Sequence, residues 1–118
     1  MNITFTAPIE TRCENNRRDG HWRQRATRVA KQRGDFAIFA RMALRGKMVT
    51  LPCAVTFTRI APRSLDPGDN LNSAFKHLRD QLAEMIGFND RTDLVMWHYK
   101  QERGAPNEMA VRVEIETT

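Results

Sequence analysis

The chain has 118 residues, of which 41% are hydrophobic and 28% charged, and this composition predicts one folded globular domain and argues against disorder. No apolar run approaches the roughly 20 residues of a membrane-spanning helix, so we expect no membrane partner. The formal net charge of +5 at pH 7 favours a polyanionic partner such as nucleic acid.

The positive charge is concentrated in one part of the chain. Residues 12–47 carry eleven Lys or Arg and three acidic residues, whereas residues 66–118 carry six and ten. An enzyme that acts on nucleic acid uses cations against phosphates and carboxylates to hold metal ions. The division therefore favours nucleic-acid binding, although small basic proteins without that role show the same division.

The two cysteines indicate a reducing compartment. Cys13 and Cys53 have neither the CxxC spacing of a zinc site nor the number needed for a disulfide framework. The first residues, "MNITFTAPIE", also lack the basic and then apolar pattern of a secretory signal. We therefore expect a cytoplasmic protein.

The first part of the chain predicts a strand, a loop and a long helix. Polar and apolar residues alternate in "NITFTAP", residues 2–8, as in a short strand. Residues 9–21 have no period and contain Asn-Asn, Arg-Arg and Asp-Gly pairs, which predicts a basic loop rich in turns. From Trp22 to about Leu44 apolar residues recur at helical spacing, with Gly34 as an interruption and Gly46 as the stop.

The rest of the chain predicts three strands and a second helix. Alternation over residues 48–60 predicts a strand, and residues 70–86 predict a helix that Gly87 ends. Residues 94–102 and 109–117 alternate as the two strands of a hairpin. The order β-α-β-α-β-β predicts a single α+β domain over the whole chain, with one mixed β-sheet packed by two main helices.

Periodicity also divides the side chains of these elements between two faces. One face of the strand 48–60 carries Cys53, Val55, Phe57 and Arg59. The inward side chains of the last strand are Val111, Val113 and Ile115. The apolar stripe of the second helix consists of Leu71, Ala74, Phe75, Leu78, Leu82, Met85 and Ile86.

The segment "LDPGDNL", residues 65–71, allows two interpretations. Asp69 suits the N-cap of the helix that follows, and Asp66 suits the start of the turn at Pro67 and Gly68. On this interpretation both aspartates serve only local structure. The alternative is that they form half of a divalent-metal site, because carboxylates are the ligands that Mg²⁺ prefers.

A second acidic connector, with Asp90 and Asp93, follows the same helix. A straight helix of this length separates its ends by about 30 Å, so a shared site requires the connector to fold back toward the helix start. At helical spacing Lys76 falls on the same polar face as Asp69, which is either a solvated face or the wall of an active site. The residues alone leave both interpretations open.

The two acidic segments and the helix between them resemble the RusA-like family of crossover-junction endodeoxyribonucleases. The matching residues are Asp66, Asp69-Asn70-Leu71, Gly87 and Asp90. "ENNRRDGHWRQR" is similar to the family's basic, Asn-bearing segment after the first strand, and "VMWHYKQERG" with the strand that follows is similar to its C-terminal part. The resemblance covers nearly the whole chain, and its most specific part is the aspartate–helix–aspartate block.

Two features depart from the family pattern. Pro67 and Gly68 put two residues between Asp66 and Asp69, where the family normally has one. Ser73 stands where the family has a functional lysine, and Lys76 lies three residues further along the chain.

The resemblance implies Mg²⁺-dependent hydrolysis of branched DNA such as Holliday junctions, in recombination and repair, by a phage or prophage homodimer; Mn²⁺ is the alternative cofactor. It implies Asp69 and Asp90 as catalytic metal ligands, with Asp66 and Asp93 supporting them. Lys76 is then expected to stabilise charge on the phosphate.

The DNA-binding residues expected from the basic segment contact phosphates, which position the substrate without reading its sequence. They are Arg17, Arg18, His21, Arg23, Arg25, Arg28 and Lys31. Two alternatives to the enzyme stay open: a basic DNA-binding accessory protein of phage origin without catalysis, and an interaction protein with no role on nucleic acid.

Overall fold

The computed structural model describes residues 2–11, 22–65, 69–87 and 93–117, which form four strands and three helices. In chain order these are β1 (Asn2–Ala7), α1 (Trp22–Leu44), β2 (Cys53–Ala61), α2 (Asp69–Ala74), α3 (Lys76–Ile86), β3 (Val95–Arg103) and β4 (Ala110–Thr117). The prediction of an α+β domain with this order of strands and helices is confirmed.

The four strands form one mixed sheet in the order β1-β4-β2-β3. β4 pairs antiparallel with both β1 and β2, whereas β2 and β3 are parallel. The predicted hairpin of the last two strands is therefore wrong, because β2 lies between β3 and β4 in the sheet. A parallel pair needs a crossover connection, and here α2 and α3 supply it.

The helices cover one face of the sheet, and the predicted alternation explains why. Val111, Val113 and Ile115 of β4 are fully buried, as the sequence predicts. Phe57 of β2 belongs to the same core and lies near Phe36 of α1, with 6.4 Å between the ring centroids. The apolar side of each strand therefore lies against the helices.

The second predicted helix is divided at Phe75. Its backbone, with φ −100° and ψ −1°, separates α2 from α3. The Phe75 ring is fully buried and stacks on Phe57 and Tyr99, at centroid distances of 5.3 and 5.5 Å. The helix is thus interrupted at the residue whose buried ring packs on the aromatic side chains of the sheet.

The predicted strand 48–60 begins later than the alternation indicates. Pro52 has no N–H for a ladder hydrogen bond, and pairing starts at Cys53, whose N–H donates to the carbonyl oxygen of Leu94 at 3.0 Å. Cys53 is buried and has a free thiol. Burial raises the pKa of that thiol, because the thiolate is the form that loses solvation.

The α2–α3 pair runs back along the sheet, antiparallel to β3. Leu65, shortly before α2, is bound to Gln101 near the end of β3, and Arg79 of α3 reaches Tyr99 in the middle of that strand. The start of α2 therefore lies toward the C-terminal ends of the parallel strands, and the end of α3 toward their N-terminal ends. Among the described helices none has the length and apolar character to cross a bilayer.

Candidate nucleic-acid interface and metal site

The first half of α1 is a basic surface. Arg23, Arg25 and Lys31 are exposed and Arg28 is half-buried, whereas the buried positions of α1 begin at Gln32. A helix of 23 residues is about 35 Å long, so its first turns extend past the core that anchors its second half. We call the residues Arg23, Arg25, Arg28 and Lys31 the α1 basic surface.

The exposed part of α1 also carries the small apolar residues that helical spacing places on one stripe. Ala26 and Ala30 are exposed and Val29 is half-buried. Together with Gly34 they line a surface groove between α1 and Gln81 of α3. The stripe therefore contributes little to the core.

The predicted DNA-binding residues divide into two groups. Four of them form the α1 basic surface, while Arg17, Arg18 and His21 lie outside the described residues. Within the surface, Lys31 Nζ forms an ion pair with Asp35 Oδ2 at 2.7 Å, and both side chains are largely exposed. Such an exposed pair contributes little stability, so it leaves the lysine available to a phosphate.

The predicted metal ligands are only partly described. Asp66 and Asp90 lie outside the described residues. Asp69 is the first residue of α2, inside the helix rather than one position before it, and its side chain is likewise outside the description. An acidic residue in a first helical turn is favoured by the helix dipole.

Asp93 lies toward the other end of β3 from Leu65, which comes four residues before Asp69. It comes two residues before β3 and is exposed, next to Leu94, which accepts the hydrogen bond from the start of β2. At about 3.3 Å per residue, Asp93 and Gln101 are roughly 26 Å apart along β3. Because Leu65 is bound to Gln101, Asp93 is far along β3 from the last described residue before Asp69.

Lys76 is exposed and is the first residue of α3. The helix is interrupted at Phe75, between Asp69 and Lys76. The prediction that these two residues share one face assumes a continuous helix, so it does not apply here. Lys76 therefore remains a solvent-accessible cation near the α2–α3 junction.

A magnesium site is not formed by the described residues alone. Within those parts of the chain, no three side chains of His, Cys, Asp or Glu are grouped as metal ligands. Carboxylates remain the suitable chemistry for Mg²⁺, so Asp66, Asp69, Asp90 and Asp93 stay the predicted ligand set.

A buried arginine, which the sequence places on the inner face without indicating a role, lies at the C-terminal end of β2. Arg59 is 8% exposed; its Nη1 donates to the carbonyl oxygen of Arg63 at 2.6 Å and its Nε to that of Thr11 at 3.4 Å. Burial lowers the pKa of Arg59, and the nearby charge of Glu10 acts in the opposite direction. The sequence indicates this burial only by the alternation of β2, which puts Arg59 on the same face of the strand as Val55 and Phe57.

Comparisons with protein-family models and with curated proteins find no match to this chain. The fold and the placement of the charged residues are therefore the basis for a functional proposal.

Proposed function

We propose that this protein is a Mg²⁺-dependent endodeoxyribonuclease that resolves branched DNA, with the α1 basic surface against the phosphates. The observation that carries the proposal is the exposure of Arg23, Arg25 and Lys31 on the part of α1 that precedes Gln32, its first buried position among the described side chains. Exposed cations on this part of α1 are well placed to meet a polyanion.

The catalytic part of the proposal rests on the resemblance to RusA-like nucleases. Asp69 and Asp90, supported by Asp66 and Asp93, would hold the ion, and Lys76 would stabilise negative charge on the phosphate. Mg²⁺, or Mn²⁺ in its place, supplies a Lewis acid and an activated water when bound. The protein is then a cytoplasmic homodimer of phage or prophage origin, with one site for each of two DNA strands.

A second candidate is a DNA-binding accessory protein without catalysis. The observation that favours it is that, within the described residues, no three side chains of His, Cys, Asp or Glu are grouped as metal ligands. In that protein the aspartates of "LDPGDNL" only shape the turn and the helix start. Both candidates share the α1 basic surface, so cleavage is what distinguishes them.

The test compares Asp69→Asn with Asp80→Asn on a four-way DNA junction. Asn at position 69 remains compatible with a helix start, so the fold is expected to persist while the carboxylate is lost. We expect Asp69→Asn to reduce Mg²⁺-dependent cleavage by more than about a hundredfold and to leave junction binding intact. Asp80, half-buried on α3, is the matched control, and its variant is expected to cleave like the wild type.

Two results would count against the enzyme. Cleavage by Asp69→Asn at the wild-type rate would remove Asp69 from the chemistry. Salt-sensitive junction binding by the wild type, with no cleavage in Mg²⁺ or Mn²⁺, would identify the accessory protein instead.

A further inference from the structure

Arg59 brings a charge into the core side of the sheet. It occupies an inward position of β2, two residues after Phe57. Burying a guanidinium group costs free energy unless its N–H groups meet acceptors. Among the described residues its hydrogen-bond acceptors are two backbone carbonyl oxygens, on Thr11 and Arg63, from different segments of the chain.

Gln101 makes the equivalent contact on the neighbouring strand. It is the register partner of Arg59 in the parallel β2–β3 pair. Its Nε2 donates to the carbonyl oxygen of Leu65 at 2.8 Å, and its Oε1 accepts from the N–H of Leu65 at 3.0 Å. One side chain thus fixes both backbone groups of one residue.

The two segments held in this way matter for the candidate site. Thr11 ends the stretch that follows β1 and leads to the basic residues 12–21. Arg63 and Leu65 precede Asp66 and the start of α2. A single guanidinium group therefore holds the chain before the basic segment against the chain before the acidic one. We call Arg59 and Gln101 the β2–β3 clamp.

We propose that the β2–β3 clamp is a positioning device for the nuclease reaction: it fixes Thr11, which precedes the basic residues 12–21, relative to Arg63 and Leu65, which precede Asp69. The inference rests on the proposed function. Displacement of reacting groups by about 1 Å can cost a hundredfold in rate, so loss of the clamp acts on the chemical step. A clamp that serves only the fold would instead change the amount of active protein.

The experiment uses one variant for each clamp residue. Arg59→Met keeps the aliphatic part and removes the donors, and replacement of a buried ion by an apolar side chain is often neutral for stability. Gln101→Leu removes both hydrogen bonds to Leu65. The control is Arg112→Met, because Arg112 pairs with Thr58 beside Arg59, points to the opposite face and binds exposed Glu102 at 2.7 Å.

We expect Arg59→Met and Gln101→Leu to lower the kcat for a four-way junction by roughly 10- to 100-fold. Their Kd for the junction in Ca²⁺, and the fraction of protein that binds, should each stay within about threefold of the wild type, as should every parameter of Arg112→Met. A purely structural role would reduce the binding fraction and the cleavage rate by the same factor.

Clamp variants that fold and cleave like Arg112→Met would overturn the inference, as would equal losses of binding and cleavage. If Arg59→Met does not fold, Gln101→Leu decides by the same criteria, since it removes no charge. Absence of cleavage by the wild type refutes the proposed nuclease instead. The clamp is then tested by hydrogen exchange: the Leu65 amide must lose protection in Gln101→Leu and keep it in Arg112→Met.

Discussion

Several arginines of this basic protein bind other parts of the protein. Arg33 donates from Nε to Gln81 Oε1 at 2.9 Å and from Nη2 to Glu84 Oε2 at 2.7 Å, which joins α1 to α3. Arg79 donates to the Tyr99 hydroxyl at 3.0 Å and lies over the Trp97 ring. Net charge therefore overstates the number of cations available to DNA.

The division of roles among the arginines gives a prediction for Arg33. Arg33→Gln should lower the free energy of unfolding by about 1 kcal/mol, because a half-buried hydrogen bond and a largely exposed ion pair are lost. Its junction affinity should stay close to that of the wild type. Urea unfolding and a binding titration on the same preparation measure the two effects. A large loss of affinity at unchanged stability would place Arg33 in the interface.

At the scale of elements, two glycines in the helical regions have opposite backbone requirements. Gly34 lies inside α1, and a Cβ built there meets no atom within 4 Å. Gly87 follows α3 in the left-handed conformation, with φ 88°, and its N–H donates to the carbonyl oxygen of Ala83 at 2.9 Å. A glycine suits the second position, whereas the first carries the entropic cost of glycine within a helix.

The same substitution should therefore change stability in opposite directions at these positions. Gly34→Ala should raise the free energy of unfolding by about 0.5–1 kcal/mol, and Gly87→Ala should lower it by about 1 kcal/mol. Thermal unfolding of the two variants beside the wild type measures both. A destabilised Gly34→Ala would mean that the groove beside Gly34 is filled in solution.

The periodicity of apolar residues predicts which segments form helices and strands, but it does not predict where each one ends or how neighbouring ones join. Alternation predicts β1 and the inward side chains of β4, and helical spacing predicts α1 with its observed bounds. The interruption at Phe75 depends on rings contributed by β2 and β3, which no local period contains.

The candidate site shows the same limit. The sequence shows the residue types, and basic side chains do lie exposed along the first half of α1. Whether Asp93 lies near Asp69 depends on the direction of the α2–α3 crossover, which the acidic spacing does not encode. The roles of Arg59 and Gln101 depend on the parallel register of β2 and β3, so they become visible only with the strands in place.

At the scale of the whole molecule, the fold has two layers, with helices on one face of the sheet. The α1 basic surface occupies one end of the longest helix, and a second pair of exposed arginines, Arg41 and Arg45, lies at or just past the other end. Arg23 and Arg41 are about 27 Å apart along the helix. Removing two arginines at one end or at the other changes the net charge equally, so the two variants separate the effect of position from the effect of total charge.

The double variant Arg23→Gln/Arg25→Gln should weaken junction binding and make the slope of log Kd against log salt shallower by up to about two phosphate contacts. Arg41→Gln/Arg45→Gln removes the same charge and should change the slope by less than one contact. Titrations of the junction at several salt concentrations measure both slopes. Equal effects from the two pairs would indicate attraction by net charge rather than by the α1 basic surface.

The position of β4 in the sheet has a consequence for synthesis on the ribosome. The described strand nearest the C-terminus lies between the first and the second, and β1 pairs with β4 alone among the described strands. Synthesis begins at the N-terminus, so β1 and β2 leave the ribosome before β4, the strand that pairs with both of them, has been made. Such non-local pairing delays folding until residues 110–117 have been made and released. The nascent protein thus depends on residues 110–117 to complete its sheet.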